Sequence, residues 1–215
     1  MTDKPIIIKA APLFEPPGTL FGPAEAAFRE GGVIAYPTET FYGLCADPFN
    51  PVAIERLFSL KGRPLANPIS LIIADRTMLE GLVADVPRAA AVLMERFWPG
   101  PLTLVMKAAP SVPASLIAGT GKVGVRLSSH PVARALSEVL SSPITATSAN
   151  PSGKRPPASA EDVLGYFNGS LDVLIDGGTL TGRLGSTIVD VSGDTPVVVL
   201  REGEIPSAEV FEALA

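Results

Sequence analysis

Histidine and cysteine are nearly missing from this 215-residue chain, which holds one of each, His130 and Cys45. A single cysteine excludes an intramolecular disulfide framework, and one cysteine with one histidine excludes a zinc finger or a Cys/His metal cluster. A Ser/His/Asp apparatus could draw only on His130. That residue precedes Pro131, where a helix is expected to open, so a capping or surface role suits it better than general-base work. Long apolar runs are missing too: none approaches the roughly 18 residues of a membrane span, and Lys4, Lys9 and Pro12 interrupt any signal-peptide core. The expectation is a soluble, cytoplasmic protein with no membrane partner. Charge is sparse, with 18% Asp, Glu, Lys and Arg and a net of −5. Such a balance argues against non-specific grip on a phosphate backbone, which draws its affinity from clustered Lys and Arg.

What the chain does have is apolar bulk, 47% of residues, with 20 glycines and 22 prolines spread along its length. That composition describes a folded globule of short elements and sharp turns rather than a disordered chain or a charged coiled coil. Its length suits one domain over 1–215. Short β-branched runs alternate with short helical stretches, as in an α/β or mixed α+β sheet. Pro23 opens a helix that runs to Arg29 before Gly31 and Gly32, and Asn50 with Pro51 opens another that ends near Lys61 and Gly62. Further helices are expected from Pro87 through Phe97, over 131–140, behind a capping box of Ser159 and Asp162 through Phe167, and after Pro206. Strands are expected over 33–36, 69–73, 102–106, 123–127, 144–147, 173–175, 187–191 and 197–200.

Several segments carry chemistry-bearing residues, each with a plainer reading beside it. Gly119, Gly121 and Gly124 match a dinucleotide fingerprint literally, yet a strand follows them where a helix is required, so they read as a loop. A Walker motif fails at Leu116 and Val123. Lys61 and Arg63 leave a helix end two residues apart and could clamp a polyphosphate; the plainer reading is two cations that complement the helix dipole. The segment 147–153 (TSANPSG) follows a strand and could cradle a phosphate, or be an ordinary turn. The segment 37–43 gathers Thr38, Thr40 and Tyr42 at a strand end, suited to a small polar ligand or to a self-bonded turn. Arg126 and Arg201 each sit beside strand residues where a guanidinium could take a carboxylate or phosphate bidentately.

The joint occurrence of these segments, in order, resembles the YrdC family, whose best-known members are threonylcarbamoyl-AMP synthases. The resemblance covers 22–205 and is carried by 36–44 (YPTETFYGL), 61–68 (KGRPLANP), 99–103 (PGPLT), 123–126 (VGVR), 147–153 (TSANPSG), 186–188 (STI) and 201–205 (REGEI). It implies an α/β fold, a twisted mixed sheet with flanking helices and a large open cavity. It implies condensation of L-threonine, bicarbonate and ATP into threonylcarbamoyl-AMP and pyrophosphate, with Mg²⁺ held mainly by the ATP phosphates and no metal site made of protein side chains. Partner proteins of a tRNA-modification transferase complex would carry the product to tRNA.

By the same resemblance Lys61 and Arg63 would be catalytic and, with Asn67, Lys122, Ser148, Asn150, Pro156 and Arg201, would line the ATP side. Thr38, Thr40, Tyr42, Arg126, Ala146 and Ser186 would line the threonine side, with Thr187 a further candidate. Lys122, Ala146 and Pro156 would contribute through their backbone. Replacing Lys61 or Arg63 by Ala is expected to abolish turnover without unfolding the chain. Many family members carry a threonine-touching histidine at the position of Ile72, which can neither donate nor accept a hydrogen bond. The chain also stops at 215, short of the extra C-terminal domain of longer members, so any lid that domain supplies is expected to come from elsewhere or be absent. The alternative function is a non-catalytic paralogue binding tRNA or double-stranded RNA, for which Lys154 and Arg155 beside Lys61 and Arg63 would make a local basic patch. A third is the carbamoyl-adenylate chemistry of the related domain in hydrogenase-maturation proteins.

Overall fold

The structure is a computed structural model that describes residues 4–10, 21–62, 67–193 and 196–215. Pro12 and Arg63 lie outside the described residues.

Local chemistry starts and stops the helices much as the sequence implies. Helix α1 (Gly22–Arg29) carries proline in its first turn. Helix α2 (Pro51–Lys61) is capped by Asn50, whose side chain accepts from the Val52 and Ala53 amides, and it ends on Gly62 in the left-handed region at φ 56°. Helices α3 (Arg88–Phe97), α4 (Ala114–Ile117) and α5 (Pro131–Val139) follow, the last capped by His130. Helix α6 (Ala160–Phe167) is capped by the Ser159 hydroxyl, which accepts from the Asp162 amide. The expected capping box is only half made, because the Asp162 carboxylate takes the amide of Ala158 rather than that of Ser159. Helix α7 (Ser207–Leu214) closes the chain. None of the described helices is long and apolar enough to cross a membrane.

Ten strands form a mixed sheet. They are β1 (Ile6–Lys9), β2 (Ile34–Tyr36), β3 (Gly43–Cys45), β4 (Ser70–Ile73), β5 (Leu102–Lys107), β6 (Lys122–Leu127), β7 (Ile144–Ser148), β8 (Val173–Asp176), β9 (Thr187–Asp190) and β10 (Val198–Arg201). Their order is β1-β8-β2-β3-β7-β4-β6-β5-β9-β10. The eight strands expected from periodicity are all present. Of the other two, β1 is not among the expected strands although Ile6, Ile7 and Ile8 form a β-branched run, and β3 carries no clear signal of its own. β3 has three residues and exists because β2 and β7 both pair with it, each antiparallel.

Alternation along these strands sorts the side chains onto two unlike faces. Register pairs Leu71 with Val125 and Thr145, and Leu104 with Val125. This face, with Leu44, Ile73, Leu102, Met106 and Val189, is largely apolar and packs on α2, α3, α6 and α7 as the main core. The opposite face is divided. At one end Ile34, Tyr36, Cys45, Ile72 and Ile144 form a second core beneath Phe28 of α1 and Val132 and Leu136 of α5. At the other end the same face turns polar, with Ser70, Gly124, Arg126, Thr103 and Ser186.

Where the β3–β7 ladder runs out, the fully buried Thr145 hydroxyl extends it: Oγ1 donates to Leu44 O at 2.8 Å and accepts from Ala46 N at 2.9 Å. Thr145→Val keeps the shape and strands a buried amide. We expect it to lower unfolding stability by about 1–3 kcal/mol, read as a lower urea midpoint at unchanged m-value.

Candidate functional site

The polar half of the divided face opens into a cavity of about 390 Å³. Its wall draws on residues far apart in sequence: Thr38, Thr40 and Tyr42 from the β2–β3 connection, Ser70 on β4, Thr103 on β5, Arg126 on β6, Ala146 and Ser148 on β7, Pro156, Ser186 before β9 and Arg201 on β10. Gly124 keeps the floor low. A Cβ there would stand 2.7 Å from the Ser70 hydroxyl and 3.3 Å from the Thr103 methyl.

Two guanidinium groups dominate the electrostatics. Arg126 is buried, and its Nη1 reaches Thr40 Oγ1 at 3.4 Å. Thr40 is set in place by Thr38, whose hydroxyl lies 3.0 Å from Thr40 Oγ1 while donating to Phe41 O at 2.7 Å. Arg201 grips Ser186, donating from Nε and Nη2 to its carbonyl at 3.1 and 2.7 Å and from Nη2 to its hydroxyl at 3.1 Å. Ser186 Oγ in turn lies 2.8 Å from Thr103 Oγ1. Burial, then the nearby charge of Arg126, pulls the Arg201 pKa below the usual guanidinium range. Two cations share one concave site, an arrangement suited to anions.

Both phenols of the wall stay protonated near neutrality. Burial pushes Tyr36 well above its ordinary value, and its hydroxyl donates to Thr145 O at 2.8 Å. Tyr42 is pushed up to about 12, chiefly by burial, while it donates to Gly178 O at 2.7 Å and accepts from Gly177 N at 3.0 Å. They are positioned hydrogen-bonding groups rather than bases.

Behind Arg126 lies a carboxylate that does not itself line the cavity. Glu39 Oε1 is 3.5 Å from Arg126 Nη1, and Glu39 Oε2 accepts from the Ser128 hydroxyl. Ser128 Oγ also accepts from the His130 amide at 3.1 Å. His130 therefore serves as expected for a cap: its Nδ1 accepts from Val132 N at 3.2 Å at the start of α5.

The residues singled out in the sequence divide into two groups. Thr38, Thr40, Tyr42, Arg126, Ala146, Ser148, Pro156, Ser186 and Arg201 meet at the cavity. Of the others, Arg63 lies outside the described residues, and Asn67, Lys122, Thr187, Lys61 and Asn150 do not line it. Asn67 is exposed. Lys122 sits at the far end of β6, its ammonium 2.7 Å from the Asp190 carboxylate. Thr187 is turned into the fold, where its hydroxyl donates to Ile205 O and accepts from the Gly203 and Ile205 amides. Lys61 is only 3% exposed, and its Nζ donates to the carbonyls of Ser148 and Asn150. The Ser152 amide donates to the Lys61 carbonyl as well. Asn150 spends its amide hydrogens on Pro151 O and Lys154 O. Lys61 and Asn150 thus fasten the 148–154 loop. The variant expected to lose turnover without unfolding, Lys61→Ala, would also remove a buried cation from these two main-chain acceptors.

Ile72 is fully buried in the second core and is the cross-strand neighbour of Arg126. An apolar residue there closes the cavity against that core. Thr103, Ser70 and Glu39 were not singled out in the sequence, although Thr103 ends the PGPLT segment and Glu39 lies within YPTETFYGL. Among the described residues no group of three or more His, Cys, Asp and Glu side chains converges to hold a metal ion.

The Sua5/YciO/YrdC family model, described as telomere recombination, matches residues 26–203. A threonylcarbamoyl-AMP synthase of Pyrococcus abyssi is 42% identical over 191 residues, covering 89% of this chain and 56% of that protein. This chain therefore spans little more than half the length of that relative. The crystal structure of P. abyssi Sua5 complexed with L-threonine superposes with a TM-score of 0.90 at 38% identity, over 97% of this chain and 60% of that one. E. coli YciO, at 30% identity, superposes with a TM-score of 0.81 over 94% of this chain and 96% of that one.

His130 gives the stability of the fold a pH dependence with a defined sign. Burial lowers its pKa below 6.5, with the Glu39 charge opposing more weakly. The neutral imidazole is favoured on folding, so its contribution is complete above about pH 6.5 and is lost as pH falls through the lower folded value. The single histidine supplies a single set of imidazole NMR signals, expected to titrate with a midpoint below 6.5. His130→Asn keeps a side-chain cap and is expected to remove this part of the acid-side stability loss.

Proposed function

Because this chain belongs to the Sua5/YciO/YrdC family, we propose that it is a threonylcarbamoyl-AMP synthase, joining L-threonine, bicarbonate and ATP with release of pyrophosphate. The observation that carries the reading is the pairing of Arg126 and Arg201 in one cavity, among the hydroxyls of Thr38, Thr40, Tyr42, Thr103 and Ser186. The substrates are anions with one short hydroxyl-bearing side chain, and this wall offers charge for the first and hydrogen bonds for the second.

In this reading the threonine carboxylate is taken by the Arg126 guanidinium, with Thr40 and Ser186 at its flanks. The threonine amine combines with bicarbonate, losing water, to give a carbamate. A carbamate oxygen then attacks the α-phosphorus of ATP in line, the bond to the bridging oxygen breaks, and pyrophosphate leaves. The chain contributes positioning and charge rather than a nucleophile. Arg201 offsets charge on the nucleotide side. Ser148 and Pro156 border the same region, and Lys61 with Asn150 holds their loop in shape. Arg63, Asn67 and the backbone near Lys122 complete the ATP side as the resemblance implies. Mg²⁺, with no carboxylate set among the described residues to receive it, is left to the nucleotide phosphates, and no step here is assigned to it. The product suits a downstream tRNA-modifying transferase, and the setting is the cytoplasm.

The test is pyrophosphate release from ATP with L-threonine and bicarbonate omitted in turn, and mass detection of the adenylate. Release that requires both, with the threonylcarbamoyl-AMP mass, is expected; release with another amino acid would change the substrate, and none under any condition would overturn the reading. Arg126→Ala is expected to raise the threonine KM about 10- to 100-fold, the scale of one lost charged hydrogen-bond set of about 1.5–3 kcal/mol.

A further inference from the structure

Arg126 carries two of the oddities of this molecule at once. It is 6% exposed, yet its Nε–H has no acceptor among the described residues, and its contact to Glu39 stretches to 3.5 Å without forming a hydrogen bond. Glu39 Oε1, equally buried, is likewise without a hydrogen-bond donor, whereas Oε2 is held firmly by Ser128. A buried ion pair is tolerated when each member is paired and hydrogen-bonded; a pair left loose on its facing edges forgoes part of the attraction that offsets its desolvation. The arrangement makes sense if the guanidinium is meant to be shared.

Glu39 reaches Arg126 from a strand connection that also supplies Thr38 and Thr40 to the cavity. Thr38 and Thr40 line the cavity, while the carboxylate between them in sequence is outside the lining and lies against Arg126 and Ser128. Ser128, two residues beyond Arg126 on the same chain segment, fixes the carboxylate from the other side. Arg126 is thereby gripped between Thr40 and Glu39, with its Nε–H uncommitted. The neighbouring Arg201 repels it, so without Glu39 nothing charged would hold it against that push. Ile72, its cross-strand neighbour, offers no polar atom.

We propose that Glu39 is the positioning residue of Arg126: a largely buried counter-ion, outside the cavity lining, that holds the guanidinium at the wall where an incoming carboxylate meets it. The substrate arm of the test rests on the proposed function, and a ligand-free arm does not. In the ligand-free protein the Arg126 Nε–H NMR signal, assigned by its loss in Arg126→Lys, should exchange slowly with water, and Glu39→Gln should accelerate that exchange at least tenfold. In turnover, Glu39→Gln should raise the threonine KM about tenfold while the ATP KM stays within twofold, and Glu39→Asp, which restores the charge, should bring the threonine KM back to within threefold of wild type.

Unchanged Nε–H exchange in Glu39→Gln overturns the proposal. So does a parallel rise of both KM values that Glu39→Asp fails to rescue, because that pattern marks a general loss of structure. If Glu39→Gln does not fold, Ser128→Ala, which frees the carboxylate without removing it, must still raise the threonine KM at least threefold with the ATP KM steady, and a flat result overturns the proposal. If the wild-type chain shows no threonine-dependent turnover while Glu39→Gln still releases the Nε–H, the proposed function falls and the positioning of Arg126 by Glu39 stands.

Discussion

The two-residue period of the central strands is the constraint on which the rest of this molecule depends. Because Leu71, Thr145, Val125 and Leu104 fall in register, their neighbours Ser70, Ala146, Gly124, Arg126 and Thr103 must share the opposite face. A slip of one residue anywhere would exchange core for cavity. The site is therefore a by-product of pairing: once one face is committed to helices α2, α3, α6 and α7, the residues that alternate with it, Ser70, Gly124, Arg126 and Thr103 among them, have only one place to go. The second core beneath α1 and α5 fills half of that remaining face, and the cavity is the half left open.

Local signals were legible in the sequence where they act locally. Asn50 before Pro51, Gly62 after Lys61, and Ser159 before Asp162 mark helix ends through atoms one to four residues away, and each is found where it was expected. β3 was not legible, because three residues ending in Cys45 become a strand only through partners 9 and about 100 positions distant. The same distance separates the hits from the misses at the site. The family segments carried Thr40, Arg126, Ser186 and Arg201 together. Ser70 enters only through the register of β4 against β7, and Glu39 through a contact across 89 residues to Ser128.

Lys61 illustrates how a charge can be correctly noticed and differently employed. As a string, KGRP at a helix end reads as cations turned outward. In the fold the Lys61 ammonium turns inward to the carbonyls of Ser148 and Asn150, so a buried positive charge stiffens the loop that borders the cavity. A long aliphatic stem carries the charge to acceptors some 90 residues away. The two basic groups that do meet in the cavity, Arg126 and Arg201, come from strands the sequence pattern marks chiefly by their apolar neighbours.

Arg201 belongs to β10, which among the described residues is the last strand of the sheet, bonded on one side only to β9 and leaving Val198 and Leu200 exposed. An end strand with a broken register, few buried contacts and half its ladder facing water opens at lower cost than the interior strands. When it does, Ser186 loses its guanidinium clamp and the main core loses Val199, a half-buried residue at its margin. The hold on an anion at this side of the cavity is therefore tied to the end of the sheet, where loosening reaches Arg201 before it reaches the interior strands.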